Sequence, residues 1–244
     1  MDINSIMKPC EYKNESVSSE ISLPYRIYVP ENYDCNKKYS LLIYMHGAGE
    51  RGTNNEHLCL PSMYRYFTYI LEDEKLKDEF ILIAPQCHPS CRWVEHGWGQ
   101  SVYDYSKDLI SVPLTLFYRL LDKEILVKYN IDKKSILMTG MSMGGFATWF
   151  TMMTRPDFLA AAIPVCGGAD PKMAEALKNI PIWIFHSDDD PIVPSDSFHA
   201  MKKAMEDVNA ADFHATLYQH DGHDSWTRAY LEKPTFDWFM SKRK

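Results

Sequence analysis

The sequence predicts one α/β domain: an open, mostly parallel, twisted sheet with helices on both faces. Three observations carry this. Residues 40–45, 80–84 and 182–185 are continuous apolar runs but for the leading Ser40, the pattern of strands covered on both faces. These runs alternate with stretches of helical character, the order that a parallel sheet with crossover helices requires. The 244 residues contain no repeat, linker or low-complexity tract, so they suit a single large core, residues 1–244 forming one domain.

The elements follow in order. Residues 1–20 are polar and expected to be a loosely held segment. Residues 22–29 alternate and read as a strand stopped by Pro30. The strand at 40–45 ends in a glycine-rich loop, His46-Gly47-Ala48-Gly49-Glu50-Arg51-Gly52. A helix is expected over 64–74 and a buried strand over 80–84, stopped by Pro85. Residues 85–106 form a long loop rich in aromatic and histidine side chains: Trp93, His96, Trp98, Tyr103 and Tyr105. An amphipathic helix spans 107–128, with Pro113 in its first turns. Residues 135–139 read as a strand, and 146–153 as a helix ended by Arg155-Pro156. A strand at 160–165, a short helix at 171–177 and a strand at 182–185 come next. Ser195 is expected to cap a helix reaching Val208; a last strand at 215–218 and a terminal helical region complete the chain.

Composition removes several function classes. The formal charge is −7, and lysine and arginine cluster only at Lys242, Arg243 and Lys244. That disfavours a nucleic-acid partner or an anionic membrane surface. The start lacks a charged stretch followed by an apolar one, and no run is long enough to span a bilayer. A cytoplasmic location is the expectation. Six cysteines are scattered at 10, 35, 59, 87, 91 and 166. Cys87 and Cys91 are close enough to pair or share a metal. No second ligand pair follows at zinc spacing, so free thiols are expected, with no metal and no cofactor.

The chemistry-bearing stretch is Gly140-Met141-Ser142-Met143-Gly144-Gly145, of the form G-x-S-x-G. It lies between an expected strand and an expected helix, the setting in which a serine is presented on a sharp, strained turn. Small flanking residues let two chain segments approach closely there. In open α/β sheets ligands bind at the carboxyl ends of the strands. Asp190, in His186-Ser187-Asp188-Asp189-Asp190-Pro191-Ile192-Val193-Pro194, and His223, in Gly222-His223-Asp224-Ser225-Trp226, also follow strands. A serine hydroxyl is a poor nucleophile without a base in reach. His223 supplies the base, and Asp190 the acid that holds its tautomer. The oxyanion donors expected are the Met143 N–H, next after the nucleophile, and the Ala48 N–H of the glycine-rich loop.

With the order Ser, Asp, His in place, the chain from about residue 22 onward resembles the α/β-hydrolase superfamily. It is most similar to single-domain esterases of carbohydrate-esterase family one, the feruloyl and acetyl-xylan esterases, and to proteins described as predicted peptidases or phospholipases. Many of those relatives have His-Gly where this chain has His186-Ser187, which leaves the Asp190 position intact. The resemblance implies a Ser-His-Asp esterase acting through an acyl-serine intermediate on acylated plant-polysaccharide sugars. Its partners would be small-molecule or oligosaccharide esters; nothing in the sequence sets an oligomeric state.

Each residue also has a plainer reading. Asp188 or Asp189 could be the acid in place of Asp190, and His220 could compete with His223 as base. The acidic triplet could bind a metal, but no ligating histidine spacing supports it. His46 and His186 suit structural hydrogen bonding, and Trp226 suits packing. Arg51 either pairs with Glu50 to shape the loop or contacts a substrate carboxylate. Trp93, His96 and Trp98 suit sugar or aromatic acyl binding; the alternative is that they cover the sheet. Between Val165 and Pro181 there is room for a turn and one short helix only, so no large lid domain and an open cleft are expected. Two other readings remain: a serine peptidase of prolyl-oligopeptidase type, for which the propeller gating domain is missing, and a catalytically inactive hydrolase fold used for binding.

Overall fold

The computed structural model describes residues 3–56, 58, 65–95, 97–100, 103–107 and 109–243. Among these, eight strands form one sheet: β1 (Lys8–Tyr12), β2 (Leu23–Tyr28), β3 (Tyr39–Met45), β4 (Phe80–Pro85), β5 (Ile131–Met141), β6 (Ala161–Val165), β7 (Ile182–Ser187) and β8 (Phe213–Tyr218). Their order is β1-β2-β4-β3-β5-β6-β7-β8. β2 pairs antiparallel with both β1 and β4, and every pairing from β4 across to β8 is parallel.

The longer helices are α1 (Arg65–Glu72), α2 (Val112–Leu120), α3 (Met143–Thr154), α5 (Asp196–Asp207), α6 (Ser225–Leu231) and α7 (Lys233–Ser241); α4 (Ala174–Leu177) is one turn. The pleat sends alternate residues of a strand to opposite faces. Leu41, Ile43 and Met45 of β3 therefore join a core with α2, α3 and α5. Leu42 and Tyr44 join the other core, with α1, α6 and α7. This two-sided burial is why the strand is apolar but for Ser40, whose buried hydroxyl pairs with that of Ser135 (2.8 Å).

Three expectations need correction. Residues 1–20 are not loosely held throughout: β1 extends the sheet, and Ile3, Met7 and Tyr12 are buried. Arg26, itself buried, donates from Nη1 to the Met7 carbonyl (2.9 Å) and from Nε to the Asn55 carbonyl (3.0 Å). An edge strand with one buried residue in five leaves little trace in hydrophobic pattern. The helix expected from 107 begins at Val112, because Ser111 accepts the Leu114 N–H as a cap and Leu109–Ile110 pair with Val94–Glu95. Ser195 precedes α5 but does not cap it with its side chain; its Oγ donates to the Asp188 carbonyl (3.3 Å).

Strand ends set the stage for the site. Met45 is level with Gly140, Met141 with Val165, Val165 with Phe185, and Ser187 with Tyr218. The loops after β3, β5, β6, β7 and β8 thus leave one edge of the sheet together. Between β6 and β7 lie only a turn at Pro171–Met173 and the single turn α4, so no lid domain is inserted there.

Candidate active site

Ser142 joins β5 to α3 with φ 52° and ψ −119°, a left-handed backbone that costs a non-glycine residue of order 1–3 kcal/mol. Packing enforces it. A Cβ on Gly144 would sit 1.9 Å from the Met45 carbonyl oxygen, and one on Gly145 would sit 2.4 Å from that of Val165. The helix start is thereby pressed onto the ends of β3 and β6, and the Ser142 N–H donates to the Val165 carbonyl (2.9 Å).

The expected triad is assembled. Ser142 Oγ lies 2.8 Å from His223 Nε2, and His223 Nδ1 lies 2.7 Å from Asp190 Oδ2. A carboxylate only accepts, so Nδ1 carries the proton and Nε2 presents its lone pair to the serine hydroxyl. Asp190 Oδ1 accepts the Ile192 and Val193 N–H groups (2.9 and 3.0 Å). His186, buried at the end of β7, donates from Nε2 to the Val193 carbonyl (2.9 Å) with Asp190 Oδ2 3.4 Å away. Burial pushes the Asp190 carboxyl up, but the His186 N–H shared between it and the Val193 carbonyl, and the bonds from His223 and the two amides, outweigh it and hold it well below the usual carboxylate range. The site therefore keeps its anion.

Met143 opens α3, so its N–H is among those a helix leaves without an intrahelical acceptor. Ala48 likewise opens the short helical turn Ala48–Glu50 after Gly47. A Cβ on Gly47 would stand 3.3 Å from the Met141 side chain, which places this loop against the residue before the nucleophile. The His46 side chain is buried beneath: Nδ1–H donates to the Gly47 carbonyl and Nε2 accepts the Cys87 N–H (2.9 Å). Burial lowers its pKa to about 4, against the upward pull of the Gly47 bond.

Other expected residues find plainer places. Trp93 is 0% exposed and donates from Nε1 to the His46 carbonyl (3.1 Å), so it is core and not a ligand contact. Arg51 is engaged by the Ala48 carbonyl at Nε (2.9 Å) and the Cys91 carbonyl at Nη1 (3.3 Å), which pins the loop and leaves no substrate role for those donors. His96 lies outside the described residues. Trp98 does reach the site's surroundings, packed with Tyr103, Phe146 and Val193. Phe146 is one turn after the nucleophile and Val193 three residues after Asp190. Tyr103 meets Phe146 edge to face (5.2 Å), and the Tyr105 N–H donates to Asp170 Oδ2 (3.0 Å), tying this loop to the one after β6.

His220 is 83% exposed and no rival to His223. Asp188 and Asp189 accept backbone N–H groups instead of the imidazole. Trp226 packs edge-on against His223 (5.2 Å). Cys10, Cys35, Cys87, Cys91 and Cys166 are free thiols. The sequence places Tyr103 only among the loop aromatics, Phe146 only at the start of the elbow helix and Val193 only within the Asp190 motif; that they pack together beside the site is shown by the structure.

Known proteins share the family and the fold of this chain. The phospholipase/carboxylesterase family model matches residues 33–233. A thermostable esterase of known structure superposes with a TM-score of 0.83 at 30% identity, over 97% of this chain and 63% of that one. The feruloyl esterase module from Clostridium thermocellum, solved in complex with sinapinate, shares the fold at 15% identity (TM-score 0.58, 98% of this chain and 90% of that one). Endo-1,4-β-xylanase Y from Acetivibrio thermocellus is 24% identical over 145 residues, 58% of this chain and 12% of that protein. The chain thus spans less than two thirds of both the thermostable esterase and the xylanase. With the α/β-hydrolase sheet, the strained serine turn and a match over most of the length in hand, this chain belongs to the phospholipase/carboxylesterase family.

Proposed function

We propose that the chain is a serine carboxylic-ester hydrolase that removes feruloyl or acetyl groups from plant-polysaccharide sugars. The observation that carries the reaction is the hydrogen-bonded line from Ser142 Oγ through His223 to Asp190. In the first half-reaction Ser142 Oγ attacks the ester carbonyl carbon as His223 Nε2 takes its proton. The Met143 and Ala48 N–H groups receive the developing oxyanion, each such donor being worth about 2.7–4 kcal/mol of barrier. The tetrahedral intermediate collapses as His223 returns the proton to the leaving alcohol. Water then attacks the acyl-serine by the same route and releases the acid. Asp190, kept ionised, stabilises the imidazolium at both stages.

The substrate class has separate support. Trp98, only partly buried, packs on a buried apolar cluster of Tyr103, Phe146 and Val193 beside the elbow helix and the Asp190 loop, and its indole is a surface suited to an aromatic acyl ring. A structural neighbour carrying sinapinate and a relative named as a xylanase point the same way. The test is an ester panel with wild type and Ser142→Ala: p-nitrophenyl acetate, methyl ferulate, feruloylated and acetylated xylo-oligosaccharides, and a peptide amide. Hydrolysis of the ferulate or acetylated sugars by wild type alone is expected. Cleavage of other esters with these untouched would remove the substrate proposal, and turnover by Ser142→Ala would remove the mechanism.

A further inference from the structure

The loop after β7 and the loop after β8 are joined by side chains of one and backbone amides of the other. Asp188 Oδ1 accepts the His220 N–H (3.1 Å), Ser187 Oγ accepts the Asp221 N–H (3.0 Å), and Asp189 Oδ1 accepts the Gly222 N–H (2.9 Å). The Ser187 hydroxyl has one proton, and Asp189 Oδ1, 2.7 Å away, is its acceptor. The next residue, Asp190, takes the His223 Nδ1 proton. Four consecutive residues of one loop therefore receive four consecutive residues of the other.

Asp190 orients the imidazole ring but not the backbone that carries it. That backbone is unusual at His220, whose φ of 61° is left-handed, a conformation that a non-glycine residue holds only when its surroundings fix it; Gly222, at φ 59°, takes it without strain. On the far side the segment is anchored by Asp224, whose side chain caps α6 at the Thr227 N–H. His223 is thus strung between a helix cap and this brace.

We propose that Ser187, Asp188 and Asp189 are positioning residues that fix the distance between His223 Nε2 and Ser142 Oγ by holding the His220–Gly222 backbone. The proposal rests on the reading of His223 as the general base. Positioning of this kind is costly to lose, since about 1 Å of misplacement can lower a rate about 100-fold. The brace asks for an acceptor oxygen at Asp189, whereas a long-range electrostatic role would ask for its charge. Asp189→Ala and Asp189→Asn separate the two.

The experiment measures kcat and KM on p-nitrophenyl acetate, normalised by fluorophosphonate active-site titration, for wild type, Asp189→Ala, Asp189→Asn and Ser187→Ala, with Ser142→Ala as the blank that does not titrate. The His223 Nδ1 proton resonance is followed by NMR in each, which needs no turnover. Asp189→Ala and Ser187→Ala are expected to lower kcat about 10- to 100-fold with KM unchanged, and to broaden the Nδ1 resonance by faster exchange. Asp189→Asn should stay within about threefold of wild type and keep a sharp resonance. Full kcat with an unaltered resonance in Asp189→Ala overturns the proposal, and so does an Asn variant as impaired as the Ala variant. An inactive wild type would instead defeat the esterase reading, and the resonance would still decide whether the brace holds the histidine.

Discussion

Acidification should weaken the fold through His46, and the size follows from its burial. The imidazole ordinarily titrates at 6.5, and burial lowers it to about 4 in the folded chain, the Arg51 charge adding to the effect. Between these values the unfolded chain binds a proton that the folded chain refuses, so stability falls as pH drops from 6.5 to 4. The shift of 6.5 − 4 is worth, at 1.36 kcal/mol per unit, about 3 kcal/mol. Above pH 6.5 the contribution is whole, and below 4 nothing more is lost from this group. The assay is urea unfolding at pH 7.5, 6.5, 5.5, 4.5 and 4 for wild type and His46→Gln, which is neutral throughout. Glutamine is expected to be less stable at neutral pH, because the Cys87 N–H and the Gly47 carbonyl lose a well-placed partner, yet its stability should fall less steeply with acid by about 3 kcal/mol over the window. Parallel curves for the two proteins would refute the reasoning. Because His46 underlies the loop carrying Ala48, ester hydrolysis should decline irreversibly only where this unfolding begins.

Asp190→Asn should leave Ser142 and His223 in place but present the wrong tautomer, lowering kcat by about 10⁴ in single-turnover assays; a loss of tenfold or less would show that Asp190 is not the orienting acid. Gly144→Ala should fail to accumulate as folded protein, since its Cβ meets the Met45 carbonyl oxygen at 1.9 Å and the His46 carbonyl oxygen at 2.8 Å, both of them backbone; a soluble variant with a native melting temperature would contradict the packing of the elbow. Thiol titration of the native chain should modify the exposed Cys35, while Cys87 and Cys166, both buried with thiols pushed up by that burial, should react only in denaturant.

What sequence could and could not show has physical reasons. Strands buried on both faces announce themselves, so β3, β4 and β7 were legible from runs such as Leu41-Leu42-Ile43. The triad was legible because nucleophile, acid and base each need a particular residue type at a strand end. β1 was not, because four of its five residues are not fully buried and its pairing is an edge contact. Trp93 and Arg51 were misread because a loop aromatic or arginine looks alike whether it faces a ligand or the loop's own carbonyls. The bonds of Asp188, Asp189 and Ser187 to the β8 loop join residues more than thirty apart, a relation no local pattern records.

The central claim is that Ser142 is the nucleophile activated by His223. Its most direct measurement is peptide mapping by mass spectrometry after a fluorophosphonate probe is added to wild type, Ser142→Ala and His223→Ala. The account predicts one adduct in wild type, on the peptide containing Ser142, none in Ser142→Ala, and labelling slowed by orders of magnitude in His223→Ala. Labelling of folded wild type at another serine, or equal rates with and without His223, would contradict it.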